Sequence, residues 1–179
     1  MRQLIVYLTF VFFITLRSTN AINLLPETCT KISKSNPKIT YEFCVKVLGS
    51  DPRSSTSTLE QLAEISFQMD ISKAKSVTTL IQKLLNDPKL VIPVIKRALQ
   101  DCLQVYSDAS DELMDGLAAV KAKDYKTANV KGSAALTSAE TCKEVFQNGQ
   151  GMNPSPSPTP LEVDFQELVA ISLALTNML

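Results

Sequence analysis

Between Ile95 and Val120 the apolar residues Ile95, Leu99, Cys102, Tyr106, Ala109, Leu113, Leu117 and Val120 follow one another mostly in alternating steps of four and three. Only an α-helix, with its 3.6 residues per turn, puts such a series on one face. A helix of that length with one apolar stripe must bury it against other elements. The segments on either side carry the same spacing, and glycine is scarce, five in 179 residues. The fold class expected is therefore all-α, with helices packed as a bundle.

Punctuation sets the boundaries. A short helix is predicted around Cys29, ending near Lys34, and a second from about Thr40 to Leu48, stopped by Gly49 and Asp51-Pro52. Ser57-Thr58-Leu59-Glu60 has the Ser-x-x-Glu form of a capping box. It opens a stretch free of Gly and Pro as far as Asp87, where Leu59, Leu62, Met69, Ala74, Val77, Leu80, Ile81 and Leu84 can share a buried stripe. Pro93 suits the first turn of the next helix, where no intrahelical donor is lost. Asp124 can cap a helix from Tyr125 to about Gln147, with Ala128, Ala135, Ala139, Cys142 and Phe146 inward. GQGMNPSPSPTP, residues 149–160, is predicted to be an extended linker, because alternating Pro blocks regular helix. A last helix is predicted over about Glu162 to Leu179, with Phe165, Leu168, Ile171, Leu175 and Met178 available for the core.

The first 21 residues, MRQLIVYLTFVFFITLRSTNA, place Arg2 ahead of an apolar run, Leu4 to Leu16, followed by small and polar residues. That is the layout of a secretory signal peptide, with cleavage expected near Ala21. The run is thirteen residues, against the roughly 20 that a bilayer span needs. Residues 22–179 are then one domain, a hairpin over 24–50 and a bundle over 57–179, with no membrane segment in the mature form. Arg2 and Arg17 leave with the leader, so 16 basic residues face 18 acidic ones, which speaks against a nucleic-acid partner. The chain has no histidine and no tryptophan, which rules out Ser-His-Asp and Cys-His catalysis and His-ligated zinc. Neither metal nor cofactor is expected.

Four cysteines, Cys29, Cys44, Cys102 and Cys142, in an exported chain predict two disulfides, and no C-x-x-C spacing suggests a redox or zinc role. In an antiparallel helical hairpin, residues equidistant from the turn come level. The midpoint of Cys29 and Cys44 falls between Asn36 and Pro37, a turn-forming pair, and that of Cys102 and Cys142 at residue 122, beside Lys123-Asp124. Pairing Cys44 with Cys102 would centre on Lys73, inside a long helix where no reversal is available. The expected bridges are therefore Cys29–Cys44 and Cys102–Cys142.

Cys29 and Cys44 continue as YEFCVKVLGSDPRS, a third cysteine stands in ALQDCLQVYSDA, and a fourth in NVKGSAALTSAETCKEVF. In this order, on an exported helical chain, these segments resemble the plant invertase and pectin methylesterase inhibitor family. The likeness spans about residues 24–179 and extends to the terminal LVAISLALTNML shared with its pollen-allergen branch, whose members carry the invertase-inhibitor name. The resemblance implies an up-down-up-down four-helix bundle with an N-terminal disulfide-linked helical hairpin. It further implies a 1:1 complex with a cell-wall or vacuolar carbohydrate enzyme, and thus a secreted protein of the apoplast, the cell wall being favoured over the vacuole.

Two targets divide that family. Members similar to the invertase inhibitors in mechanism carry Pro-Lys-Phe after an aspartate, where this chain reads Asp124-Tyr125-Lys126-Thr127. Lys126 matches while the Pro and Phe do not, so the expectation favours pectin methylesterase, with acid invertase as the alternative. A lysine at a hairpin tip suits a glycosidase pocket whose work is done by carboxylates, and Lys121 and Lys123 would add steering. Inhibitors resembling the pectin methylesterase class lay helix faces across a long polysaccharide cleft, for which Glu64, Gln68 and Lys75 are contact candidates. A solvated turn and solvated helix faces are the plainer readings of the same residues.

The carboxylates Asp108, Asp111, Glu112 and Asp115 share one helical face but lack the glycine-bearing loop of a calcium site, and read as solvated. From another functional class, the small residues Ser133-Ala134-Ala135 could leave room for an apolar ligand carried within the bundle.

Overall fold

The computed structural model describes residues 23–87, 93–148 and 159–179, and converts the apolar spacings into six α-helices. These are α1 (Leu25–Ser35), α2 (Tyr41–Leu48), α3 (Leu59–Leu85), α4 (Pro93–Lys121), α5 (Tyr125–Asn148) and α6 (Thr159–Thr176), with a 3-10 turn at Pro52–Thr56. The leader expected over 1–21 and most of the linker expected over 149–160 lie outside the described residues. Helix α6 starts earlier than its predicted Glu162, because Pro160 falls in a first turn, where a proline removes no helical hydrogen bond.

Helices α3 to α6 close a ring in which α3 packs on α4 and α6, and α5 packs on the same two. Their directions alternate. Asn129, early in α5, donates to the Leu173 carbonyl (3.2 Å) and the Thr176 hydroxyl (2.9 Å), late in α6. Lys131, also early in α5, reaches Glu112 (2.8 Å) and Asp115 (2.9 Å), late in α4. Ser172, late in α6, donates to Asp70 in the first half of α3 (2.6 Å). This is the expected up-down-up-down bundle. Tyr106 and Phe165 meet edge to face in its centre, with ring centroids 5.3 Å apart.

The N-terminal hairpin turns where Asn36 allows it. The Asn36 side chain accepts from the Lys38 N–H (3.2 Å), its carbonyl accepts from the Ile39 N–H (3.0 Å), and Thr40 then caps α2 by accepting from the Phe43 N–H (3.1 Å). Leu25, Cys29, Ile32, Ile39, Cys44 and Leu48 are buried and join the main core, α1 lying against α6 and α2 against α3. The structure holds two disulfides, Cys29–Cys44 (Cα–Cα 5.6 Å) and Cys102–Cys142 (Cα–Cα 4.9 Å), all four cysteines being fully buried.

Helix α3 differs from expectation in two further details. The capping box of α3 is one residue later than predicted: the Gln61 N–H donates to the Thr58 hydroxyl (3.3 Å), and the Thr58 N–H donates to the Gln61 side chain (2.9 Å). Ser57 is already committed, since its hydroxyl donates to the Arg53 carbonyl (2.8 Å) and closes the 3-10 turn. Secondly, Leu59, Met69, Leu80 and Leu84 are only half-buried, whereas Phe67 and Asp70 are wholly buried. With neighbours on two sides, α3 buries a wider arc than one stripe.

Burial pushes the Asp70 carboxyl up to about 8, against the pull of its hydrogen bond from Ser172. Its Oδ1 has no hydrogen-bond partner among the described residues.

Close helix approach sets the packing around Phe67. A Cβ at Gly116 would stand 2.4 Å from Cε1 of that ring, and one at Gly132 would stand 2.9 Å from Leu173 Cδ2. The small residues here serve contact between helices. Gly116→Ala should therefore destabilise the protein by about 1–3 kcal/mol through overpacking, although alanine favours helix over glycine by about 1 kcal/mol. Urea denaturation measures the difference, and a variant as stable as the parent would mean that the Phe67 ring has room to move.

Candidate target-binding surface

The turn between α4 and α5 is built by backbone rules. The Asp124 N–H reaches back to the Ala119 carbonyl (2.9 Å) and the Lys123 N–H to the Val120 carbonyl (2.9 Å), the paired bonds of a Schellman motif. That motif needs a left-handed residue, and Lys123 supplies it at φ 60°, where glycine is usual. Strain of this kind at an exposed tip is a reason to look for function there. Asp124 then caps α5 by accepting from the Thr127 N–H (3.1 Å). Hydrogen bonds from Thr127 hold its carboxyl below the ordinary aspartate range, with the Lys126 cation adding to the effect.

The four residues expected to act together at this tip are thus divided in role. Asp124 is occupied as the cap, and Tyr125 is half-buried against the core. Lys126 and Thr127 are exposed, and Lys121 and Lys123 are exposed beside them. The start of α3 lies at the same end of the bundle. Glu60 is held below the usual glutamate range by its own backbone N–H and the Thr58 side chain, with a contribution from the Lys123 cation.

A second surface lies further along α3. Glu64 lines a cleft of about 360 Å³ with Arg53, Thr56, Ser57, Gln61 and Ile65. The Arg53 guanidinium donates to the Gln68 side-chain oxygen (2.8 Å) and pairs with Asp51 (2.5 Å). Hydrogen bonds from Arg53 hold the Asp51 carboxyl down at about 2. Glu64 and Gln68 therefore share one surface, joined through Arg53. Lys75 does not sit in it: seven residues beyond Gln68, or about 10 Å along a helix, it lines a separate cleft with Ser72, Ser76, Thr79, Leu80 and Lys83. Arg53 went unseen in the sequence because a 3-10 turn has no apolar period; its one signal was the Asp51-Pro-Arg spacing.

Among the described residues no cluster of three or more His, Cys, Asp or Glu could hold a metal ion. In the acidic stretch of α4, Lys131 bridges Glu112 and Asp115, and the Gln104 amide donates to Asp108 (2.9 Å). Those two carboxylates, Glu112 first, raise the Lys131 ammonium to about 12.

The fold and these surfaces define a disulfide-stapled helical bundle with polar faces exposed at one end and along α3. Residues 23–175 match the family described as plant invertase/pectin methylesterase inhibitor, and the chain belongs to that family. It is 37% identical over 170 residues to a Platanus acerifolia protein named "Putative invertase inhibitor", covering 95% of this chain and 93% of that one. It is also 31% identical over 160 residues to a "Pectinesterase inhibitor" of Actinidia deliciosa, covering 88% and 80%. Among solved structures, mutant form A of a pectin methylesterase inhibitor from Arabidopsis superposes with a TM-score of 0.70 at 25% identity, covering 83% of this chain and 97% of that one.

Proposed function

We propose that this protein is a secreted inhibitor of a plant cell-wall carbohydrate enzyme, that its target is pectin methylesterase, and that it acts by covering the active-site cleft one-to-one. The family consists of enzyme inhibitors, and its members do no catalysis of their own. The observation that carries the choice of target is the make-up of the α4–α5 tip. Where the invertase mechanism would have Pro-Lys-Phe, the chain has Tyr125, packed on the core, then Lys126, then Thr127 with its N–H spent on Asp124. Of the three, Lys126 and Thr127 are exposed, and Lys126 alone matches the motif. The α3 surface, in contrast, offers Glu64, Gln68 and Arg53 as side chains that can bond across a broad cleft. Cofactors and nucleic acid play no part in this reading, and among the described residues no helix is long and apolar enough to cross a membrane.

Acid invertase is the second reading, favoured by the name of the Platanus relative and by the gathering of Lys121, Lys123 and Lys126 at one exposed tip. The substitution Lys126→Glu separates the two. Under the pectin methylesterase reading it leaves inhibition of that enzyme within about twofold, a change under ~0.5 kcal/mol. A loss of pectin methylesterase inhibition by more than about tenfold, ~1.4 kcal/mol, would move the working surface to the tip.

A further inference from the structure

Along α2 and α3 runs a strip that lies outside both the α4–α5 tip and the Arg53–Glu64–Gln68 surface, and that takes in Lys75. Phe43 and Val47 of α2, Met69 of α3 and Leu168 of α6 form the apolar floor of two adjoining clefts of about 340 and 370 Å³, rimmed by Lys46 and Lys73. Ser72 and Ser76 continue this groove into a third cleft of about 520 Å³, bounded by Lys75 and Lys83. Among the described residues no carboxylate lines any of the three. Residues 71–85 contain three lysines and no acid, and Lys46, Lys75 and Lys83 pair with no carboxylate among the described residues.

We propose that this strip binds an acidic polysaccharide, a linear chain of uronic acids, independently of which enzyme is inhibited. Three features match that chemistry. The lysine ammonium groups offer charge and hydrogen-bond donors to spaced carboxylates. The hydroxyl hydrogens of Ser76 and Thr79 are already donated to the Ser72 and Lys75 carbonyls (3.0 and 2.8 Å), which leaves the oxygens of these exposed residues as acceptors for sugar hydroxyls. The apolar floor can take the C–H face of a sugar ring. A folded protein partner fits less well, because lysine is depleted from the cores of protein interfaces.

The test is binding of polygalacturonate to the full mature chain at low and at physiological salt, with fully methyl-esterified pectin as the uncharged probe and poly-glutamate as the acidic peptide. The proposal expects salt-sensitive binding to polygalacturonate alone. It further expects at least about a tenfold loss of that affinity in Lys46→Gln/Lys83→Gln, with circular dichroism unchanged, and no loss in Lys126→Gln. Equal binding of poly-glutamate would make the ligand an acidic protein segment and overturn the polysaccharide assignment. No binding of polygalacturonate, or an equal loss in both lysine variants, would overturn the strip as a site.

Discussion

Asp70→Asn should remove most of the pH dependence of folding stability between pH 4 and pH 8. In the folded protein burial raises the Asp70 carboxyl to about 8, whereas its ordinary value is 3.8. Below pH 4 both states hold the proton and the residue is harmless. As pH rises, the unfolded chain releases its proton and the fold does not, so stability falls by up to about 1.4 kcal/mol per pH unit, in all on the order of 5 kcal/mol by pH 8. Glu27, Asp51, Glu60 and Asp124, all held below their ordinary values, act in the opposite direction and only in more acid solution. Asparagine keeps the shape and an acceptor for Ser172 but cannot ionise. Urea midpoints at pH 5, 6.5 and 8 should decline for the parent and stay level for the variant, with the variant the more stable at pH 8. Parallel declines would show that Asp70 ionises freely in the folded state. With this carboxyl protonated, the fold is more stable in mildly acidic than in neutral solution.

The two disulfides should differ in what their removal does. Chain-entropy estimates give about 4 kcal/mol for the longer Cys102–Cys142 loop and about 3 for Cys29–Cys44. The first joins α4 to α5 in the core, so Cys102→Ser/Cys142→Ser should lower global stability and bring down the thermal midpoint of the whole bundle. The second joins helices of 11 and 8 residues, shorter than the roughly 12 at which isolated helices become even marginal. Cys29→Ser/Cys44→Ser should therefore raise amide exchange across 25–48 first, while α3 to α6 keep most of their protection. A bundle that unfolds together with the hairpin in that variant would show that the two are one cooperative unit.

Much of this architecture was legible from spacing alone, since period 3.6 is a geometric property of helices and needs no knowledge of partners. The cysteine pairs were legible because each is symmetric about a turn. Asp70 is instructive in the other direction. Phe67, Asp70, Ala74, Val77 and Ile81, all wholly buried, follow steps of three, four, three and four, so the spacing was present; the polarity of Asp70 hid that member, and the expected stripe passed over Phe67 as well. The surfaces were less legible. Lys126 was visible as a charge near a turn, but the strained Lys123 that shapes the turn was not, because it depends on backbone geometry. The link from Arg53 to Gln68 spans 15 residues and a change of element, for which no local pattern exists.

Which enzyme the bundle stops is the central question about this protein. Titrating the purified protein against pectin methylesterase and against acid invertase, both at mildly acidic pH, measures this directly. Pectin methylesterase activity should fall linearly to a floor at one equivalent of inhibitor while invertase keeps its rate. Invertase inhibited at one equivalent with pectin methylesterase untouched would contradict the assigned target, and neither enzyme slowing at micromolar inhibitor would contradict the proposed function itself.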